Sequence, residues 1–352
     1  MKGAITVGEK LIEIVDLPAP KCKENEALVD VHTVTLCGTD IHIWEGHYAC
    51  EFPIVQGHEI SGTIKEVAPG QVDADGRTLE VGDSVVIHPL IPCGVCPPCL
   101  NGRENACTDL SVLGCYTNGG LTETIAVPTE RIVAIPKTLD LRTAALTEPV
   151  SIAYHAVRRS KACAGEKAVV FGCGAIGLIA IRALKDKGCE VLAIDTVADR
   201  IRSAQVCGAD RVVLAGVESV EEVVAAWAGQ FGPEIVIEAT GVPQCFESAI
   251  NVVGCTGRVV AVGISEHSAQ IPLRSLPTKE IEILGSRNCE GGLTEPLKFL
   301  TLHQKLFSSL ITHQTGLSGV SLALEQMARR ASGVGKIAVL MDMATSELET
   351  IS

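Results

Sequence analysis

Four cysteines in one short loop, Cys93, Cys96, Cys99 and Cys107, constrain this chain more than any other feature in it. Their spacing, C-x2-C-x2-C-x7-C, brings four sulfurs within tetrahedral reach of one ion. Zinc takes thiolates at about 2.3 Å, and takes four of them where its role is structural, so that no coordination position stays open for chemistry. An iron–sulfur cluster is the rival occupant, but its bacterial run closes with a short gap and a proline after the last cysteine. Here the last gap is seven residues and Thr108 follows. Four reduced, buried thiols are the third reading. The spacing predicts a closed structural zinc site, which staples a loop and leaves function to other residues.

The chain has 352 residues, more than a single core usually supports, and its 47% apolar content is enough to fill two. A formal charge of −13 and the lack of clustered Lys and Arg exclude nucleic acid and an anionic membrane as partners, which leaves small molecules. The longest uncharged run, Ala168–Ile181, has 14 residues and is broken by Gly172, Gly174 and Gly177, so no membrane span is expected. Near the N-terminus, Glu9 and Glu13 bracket a short apolar patch where a secretory signal would carry basic and then apolar regions. Fifteen cysteines, an odd number spread over both halves, would mispair in an oxidising compartment. The expected location is the cytosol.

Up to about Pro149 the chain shows short β-rich stretches, 27–34, 60–67, 84–88 and 122–127, divided by Gly, Pro and Asp turns. From about Ser151 the pattern changes to apolar strands alternating with amphipathic helices. The strands are expected at 168–171, 191–194, 211–214, 235–238, 258–262 and 281–284, with helices at 175–187, 198–207, 220–227 and 243–253. Six strands with crossover helices make an α/β fold with a doubly wound parallel sheet of the Rossmann kind. The remaining tail, with helices expected at 295–306 and 319–330 and a strand at 336–341, is too short to stand alone. It is expected to pack back on the first half. The domain reading is 1–149 with 289–352 as a mostly β catalytic domain and 150–288 as the nucleotide domain.

Gly172-Cys173-Gly174-Ala175-Ile176-Gly177 is G-x-G-x-x-G after a strand and before a helix, the context the dinucleotide fingerprint needs. Its first glycine makes the turn, the second admits the pyrophosphate and the third lets helix and strand pack closely. Asp195 ends the next strand, eighteen residues beyond Gly177, where a carboxylate accepts the ribose hydroxyls and repels a 2′-phosphate. NAD is therefore favoured over NADP, although Arg200 stands near enough to accommodate a phosphate.

Cys37, Thr39, Asp40 and His42, with His58 and Glu59, place a thiol, imidazoles and carboxylates on loops beside β-rich segments. On spacing alone each is more readily a structural residue than a ligand. The series CGTDIHIWEG at 37–46, GHE at 57–59 with Gly62, VGD at 81–83, the four-cysteine loop, Gly119-Gly120, Glu148-Pro149 and G-x-G-x-x-G resembles the zinc-dependent medium-chain alcohol dehydrogenase family over nearly the whole chain. Within it the resemblance is to the polyol (sorbitol), threonine and sugar-acid dehydrogenase branch. This implies a GroES-like catalytic domain, two zinc ions per chain and NAD-dependent oxidation of a secondary alcohol to a ketone. The resemblance further implies Cys37, His58, Glu59 and Glu148 as the ligand set of a catalytic zinc, with the resting glutamate open between the last two. It implies Thr39 and His42 as a proton relay, with Glu148 also acting in catalysis. It implies cofactor contacts at Gly172, Gly174, Ile176, Gly177, Asp195, Arg200, Val262, Gly263, Ile264, Ser286 and Arg287, and an assembly into homodimers or homotetramers. The other cysteines are read as small apolar residues. Two alternatives are kept: a zinc-independent quinone-reductase-like enzyme, against which Cys37, His58 and Glu148 speak, and a non-catalytic NAD-binding sensor.

Overall fold

The computed structural model describes residues Met1–Ile351. The chain divides into two compact units, Met1–Ser151 with Glu290–Ser352, and Ile152–Cys289.

The first unit is built on the strand Glu26–Thr35. Its residues are buried almost without interruption, because both faces are covered, which explains a VDVHTVT run with little polar alternation. It pairs antiparallel with Glu59–Val67, Thr124–Pro128 and Lys336–Leu340. The tail thus completes the sheet of this unit, with Ile337 and Val339 in the same core as Val29, Val34, Ile60 and Val85. Gly62 lies at a register shift between Glu26–Thr35 and Glu59–Val67, where a Cβ would stand 2.3 Å from the Asp30 carbonyl oxygen.

Several local expectations change. The helix expected over 295–306 is two, Thr294–Leu302 and Gln304–Ser308, broken at His303 with φ −110° and ψ 21°. The His303 ring packs edge-on against Phe299 and Phe307, one on each side of the break. The helix expected over 319–330 opens as a 3-10 turn, Leu317–Gly319, and runs as an α-helix only from Val320 to Ala328. Arg330 adopts a left-handed φ of 51°, which has taken the chain out of the helix. The hairpin Lys2–Gly8 with Leu11–Asp16 and the strand Ile311–Thr315 were not expected. Leu11–Asp16 is half exposed on both faces and Ile311–Thr315 carries three polar residues in its middle, so neither shows a period-2 pattern.

The second unit is a six-stranded parallel sheet. In space the order is Arg211–Leu214, Glu190–Asp195, Lys167–Phe171, Ile235–Glu238, Arg258–Ala261, Glu282–Gly285. That is 3-2-1-4-5-6 within the unit, the Rossmann order, with the switch point between the first and fourth strands. The inner strands are apolar on both faces: Val169, Val170, Leu192, Ala193, Val236 and Ile237 are all fully buried.

Candidate active site

The four-cysteine loop is shaped by two short helical turns. Cys96 precedes the turn Pro97–Leu100, whose opening prolines need no N–H partner, and the 3-10 turn Glu104–Ala106 returns the chain to Cys107. The four ligand sulfurs lie within 4.8 Å of one another, Cys96 Sγ standing 3.3 Å from Cys99 Sγ and 3.7 Å from Cys107 Sγ. Thiolates about 2.3 Å from one tetrahedral ion stand about 3.8 Å apart, so the cluster matches zinc with little movement. Backbone N–H groups of Cys93 and Asp109 donate to Cys107 Sγ at 3.3 and 3.4 Å. Backbone N–H groups of Thr108 and Cys99 pull the Cys96 thiol down, while burial and the neighbouring Cys96 push the Cys99 thiol up, so the first proton leaves this pair from Cys96.

A second donor cluster lies where the strand Glu59–Val67 begins. Cys37 caps the helix Gly38–Trp44, and the Asp40 carboxylate accepts the Cys37 N–H at 2.8 Å. One ligand atom from each of Cys37, His58 and Glu59 falls within a 4.8 Å group. His58 Nδ1 faces Asp40 Oδ1 at 3.8 Å and Cys115 Sγ at 3.7 Å. Burial works against a charge on His58, but Cys115 and Asp40 outweigh it and hold the imidazole's pKa well above the usual value. A thiol, an imidazole and a carboxylate are donors zinc accepts. The residues fit a catalytic zinc.

Glu59 is wholly buried. Thr35, its register partner on the neighbouring strand, donates its hydroxyl to one carboxylate oxygen and Lys336 donates its ammonium to the other. Lys336 Nζ also donates to the Leu36 carbonyl at 3.0 Å. Burial disfavours that ammonium, yet Glu59 and Cys37 more than compensate and raise its pKa. Glu148, near the start of the helix Thr147–Arg159, is not one of the three grouped donors. It is near enough to feel His58 and Glu59: burial pushes its carboxyl up to about 7 against the pull of His58, and Glu59 adds to the rise. Cys37 Sγ stands 3.9 Å from Thr39 Oγ1, and His42 is exposed one turn further along the same helix.

In the second unit the fingerprint glycines differ in what surrounds them. Gly172 has a φ of +93°, Gly177 would bring a Cβ to 1.8 Å from the Gly172 carbonyl oxygen, and a Cβ on Gly174 would meet nothing within 4 Å. A tight turn, a close helix–strand contact and an open cradle at the N-terminus of the helix Ala175–Asp186 are what a pyrophosphate needs. Asp195 is buried at the end of its strand, accepting the Cys173 N–H at 2.8 Å and the Val197 N–H at 2.9 Å, with Arg200 at 3.9 Å. Ile176 is partly buried in the first turn of the same helix. Val262 and Gly263 follow the strand Arg258–Ala261, and a Cβ on Gly263 would stand 2.0 Å from the Gly241 nitrogen. Ile264 is 88% exposed. Ser286 and Arg287 follow Glu282–Gly285, and the buried Ser286 Oγ has no hydrogen-bond partner among the described residues.

Sequence reasoning assigned no role to Thr35 or Lys336, counted Asp40 only among the carboxylates of the motif, and read Cys115 as a small apolar residue, whereas both Asp40 and Cys115 face His58. Asp40 lies inside a motif that was quoted. Lys336 is 277 residues from Glu59, and no local pattern marks it.

Residues 23–137 match the sequence model of the alcohol dehydrogenase GroES-like domain, and residues 175–301 that of zinc-binding dehydrogenases. The chain is 37% identical to an L-galactonate-5-dehydrogenase of Escherichia coli K12 over 78% of each protein. It belongs to the zinc-dependent medium-chain alcohol dehydrogenase family. Among solved structures of this family's fold, an NADH complex of an alcohol dehydrogenase from E. coli CFT073 superposes with a TM-score of 0.89 at 27% identity, covering 97% of this chain and 99% of that one. An NADP-bound zinc-binding dehydrogenase of Sinorhizobium meliloti has a TM-score of 0.88 at 27% identity, covering 96% and 98%. As a member of the family's polyol, threonine and sugar-acid branch, the chain is an enzyme that uses zinc and a nicotinamide dinucleotide. No helix among its described residues is long and apolar enough to cross a membrane.

Proposed function

We propose that this dehydrogenase oxidises a secondary hydroxyl of a sugar acid or a related polyol to the ketone, with NAD as acceptor. The observation that carries this reading is the convergence of the half-buried Cys37 with the buried His58 and Glu59, with Glu148 near them. Cys37, His58 and Glu59 would hold a zinc that would supply Lewis-acid activation of the substrate hydroxyl, and the dinucleotide would supply the hydride acceptor. The protein's own residues do the rest. Asp40 orients His58, Lys336 and Thr35 fix Glu59, and Glu148 supplies a second carboxylate near His58 and Glu59. Thr39 receives the hydroxyl proton and His42, exposed on the same helix, passes it to water. The L-galactonate relative supports a sugar acid, as does a site furnished with charged and hydroxyl groups.

NAD is favoured over NADP because Asp195, buried and held by two backbone N–H groups, cannot turn away from a 2′-phosphate. The unit Met1–Ser151 with Glu290–Ser352 is assigned the metals and substrate, and Ile152–Cys289 the dinucleotide. Two zinc ions per chain are assigned, the second to Cys93, Cys96, Cys99 and Cys107. A homodimer or homotetramer is assigned because Glu282–Gly285 ends its sheet with Arg258–Ala261 as its one partner among the described residues, and Ile283 on it is exposed.

Metal counting with substrate profiling tests the proposal. The expected count is two zincs per chain, with Cys37→Ser losing one zinc and all turnover while keeping the fold, and Cys99→Ser losing stability. One zinc in the wild type, or full activity in Cys37→Ser, refutes the catalytic site. A panel of aldonates, polyols, threonine and butanediol, read by NADH formation, is expected to favour an aldonate.

A further inference from the structure

Beyond the two clusters described, one more set of metal-binding side chains converges. His42, Glu45 and His47 each offer a ligand atom, and the three lie within 4.8 Å of one another at the C-terminal end of the helix Gly38–Trp44. We propose that this is a third, surface metal site that takes a borderline divalent transition ion, such as Zn²⁺ or Ni²⁺, reversibly.

The backbone builds the site. His47 N–H donates to the His42 carbonyl at 2.8 Å, which folds the chain back so that two imidazoles five residues apart are neighbours. Gly46 makes this turn with a φ of +73°, and a Cβ there would stand 2.6 Å from Glu9 Cγ, so the turn is seated on the neighbouring hairpin. Lys10 N–H donates to the Trp44 carbonyl at 2.6 Å and ties the two together from the other side. The Glu45 carboxylate is 23% exposed and lies 3.6 Å from His47 Nδ1.

The donor set selects the ion. Two imidazoles and one carboxylate suit zinc, nickel or copper and do not suit magnesium or calcium, which demand oxygen. Donors about 2.1 Å from a tetrahedral zinc stand about 3.4 Å apart, so the three need to close by roughly an ångström. His42 is exposed and the His47 side chain is 70% exposed, so both rings are free to rotate that far. Lys10 Nζ stands 3.6 Å from Glu45 and is 61% exposed. Its ammonium supplies the positive charge that the ion would replace, and it can swing into water. Three ligands leave at least one position for water, so the site exchanges metal with solvent and is unlike the buried four-thiolate loop.

Occupancy carries a consequence that rests on the proton relay proposed above: an imidazole nitrogen bound to metal cannot accept a proton. Zinc in excess of the resident metal is then an inhibitor acting at His42, outside the catalytic cluster.

The test is a calorimetric Zn²⁺ titration of the zinc-loaded enzyme, run beside His47→Ala and Glu45→Gln, which keep every residue assigned to turnover. The wild type is expected to bind one further equivalent that EDTA removes. Each variant is expected to bind it about tenfold more weakly or not at all. Exposed thiols such as Cys163 and Cys255 are common to all three proteins, so they cancel from the comparison. An unchanged extra equivalent in His47→Ala overturns the site, as does none in the wild type. Initial rates with added zinc give the second readout: inhibition in the wild type and resistance in His47→Ala, with equal rates before zinc is added. If zinc binds as expected without inhibiting, the site stands and the relay role of His42 fails.

Discussion

Replacing Lys336 by methionine removes a 7%-exposed ammonium from beside a glutamate that is wholly buried. The lysine bridges the Glu59 carboxylate and the Leu36 carbonyl, and so joins the tail strand Lys336–Leu340 to the start of Glu59–Val67 beside His58. Removing one partner of such a pair costs about 3–5 kcal/mol, because the other charge stays buried without compensation. The Lys336 pKa is raised above its ordinary 10.5, so the pair's contribution is complete at neutral pH and is lost only as pH climbs past that value. Each kcal/mol moves the midpoint of a domain of about 200 residues by about 2–4 °C, so Lys336→Met should lower the transition of the first unit by about 6–20 °C at pH 7. Scanning calorimetry reads this directly. Adding Glu59→Gln to Lys336→Met should recover part of the loss, with a coupling of about 2 kcal/mol or more across the double-mutant cycle. Bound zinc is counted in each variant so that metal loss is not mistaken for ion-pair loss. A fall of under about 2 °C, or an additive cycle, would refute the view that Glu59 depends on Lys336 for its charge.

Asp195→Ala should weaken NAD binding and narrow the preference over NADP, read as the ratio of kcat/KM values. A wild type that prefers NADP would reverse the cofactor assignment. His42→Ala should lower kcat by about 10²-fold or more at neutral pH and less in alkali, where hydroxide takes the proton. A constant ratio to wild type at all pH values removes His42 from the relay. His88 is buried, and burial, helped by Arg131, depresses its pKa to about 4. A base with a depressed folded pKa contributes stability that is complete above its unfolded pKa of about 6.5 and is lost as pH falls towards 4, so about 3 kcal/mol should disappear over that window. His88→Phe should flatten the urea-midpoint profile between pH 6.5 and 4, and an unchanged slope would contradict this.

The sequence by itself determined the features that are local in the chain. The parallel sheet was legible because its strands are uniformly apolar and its helices amphipathic, but alternation with right-handed crossovers admits more than one strand order, and the 3-2-1-4-5-6 order is read from the pairing in the folded chain. The glycine turn was legible because each glycine answers a steric demand within six residues, as the near-contact at Gly177 and the open space at Gly174 illustrate. The four cysteines were legible because one ion needs them within a few ångströms and one loop supplies them. Where the pattern was weak, at the N-terminal hairpin and at Ile311–Thr315, the strands could not be read, since pairing with neighbours rather than local alternation makes them. Only the tertiary structure brought Lys336 across 277 residues to Glu59 and set Cys115 and Asp40 against His58. These are contacts between side chains whose own sequence neighbours carry no trace of the partner, and packing of the whole unit is what creates them.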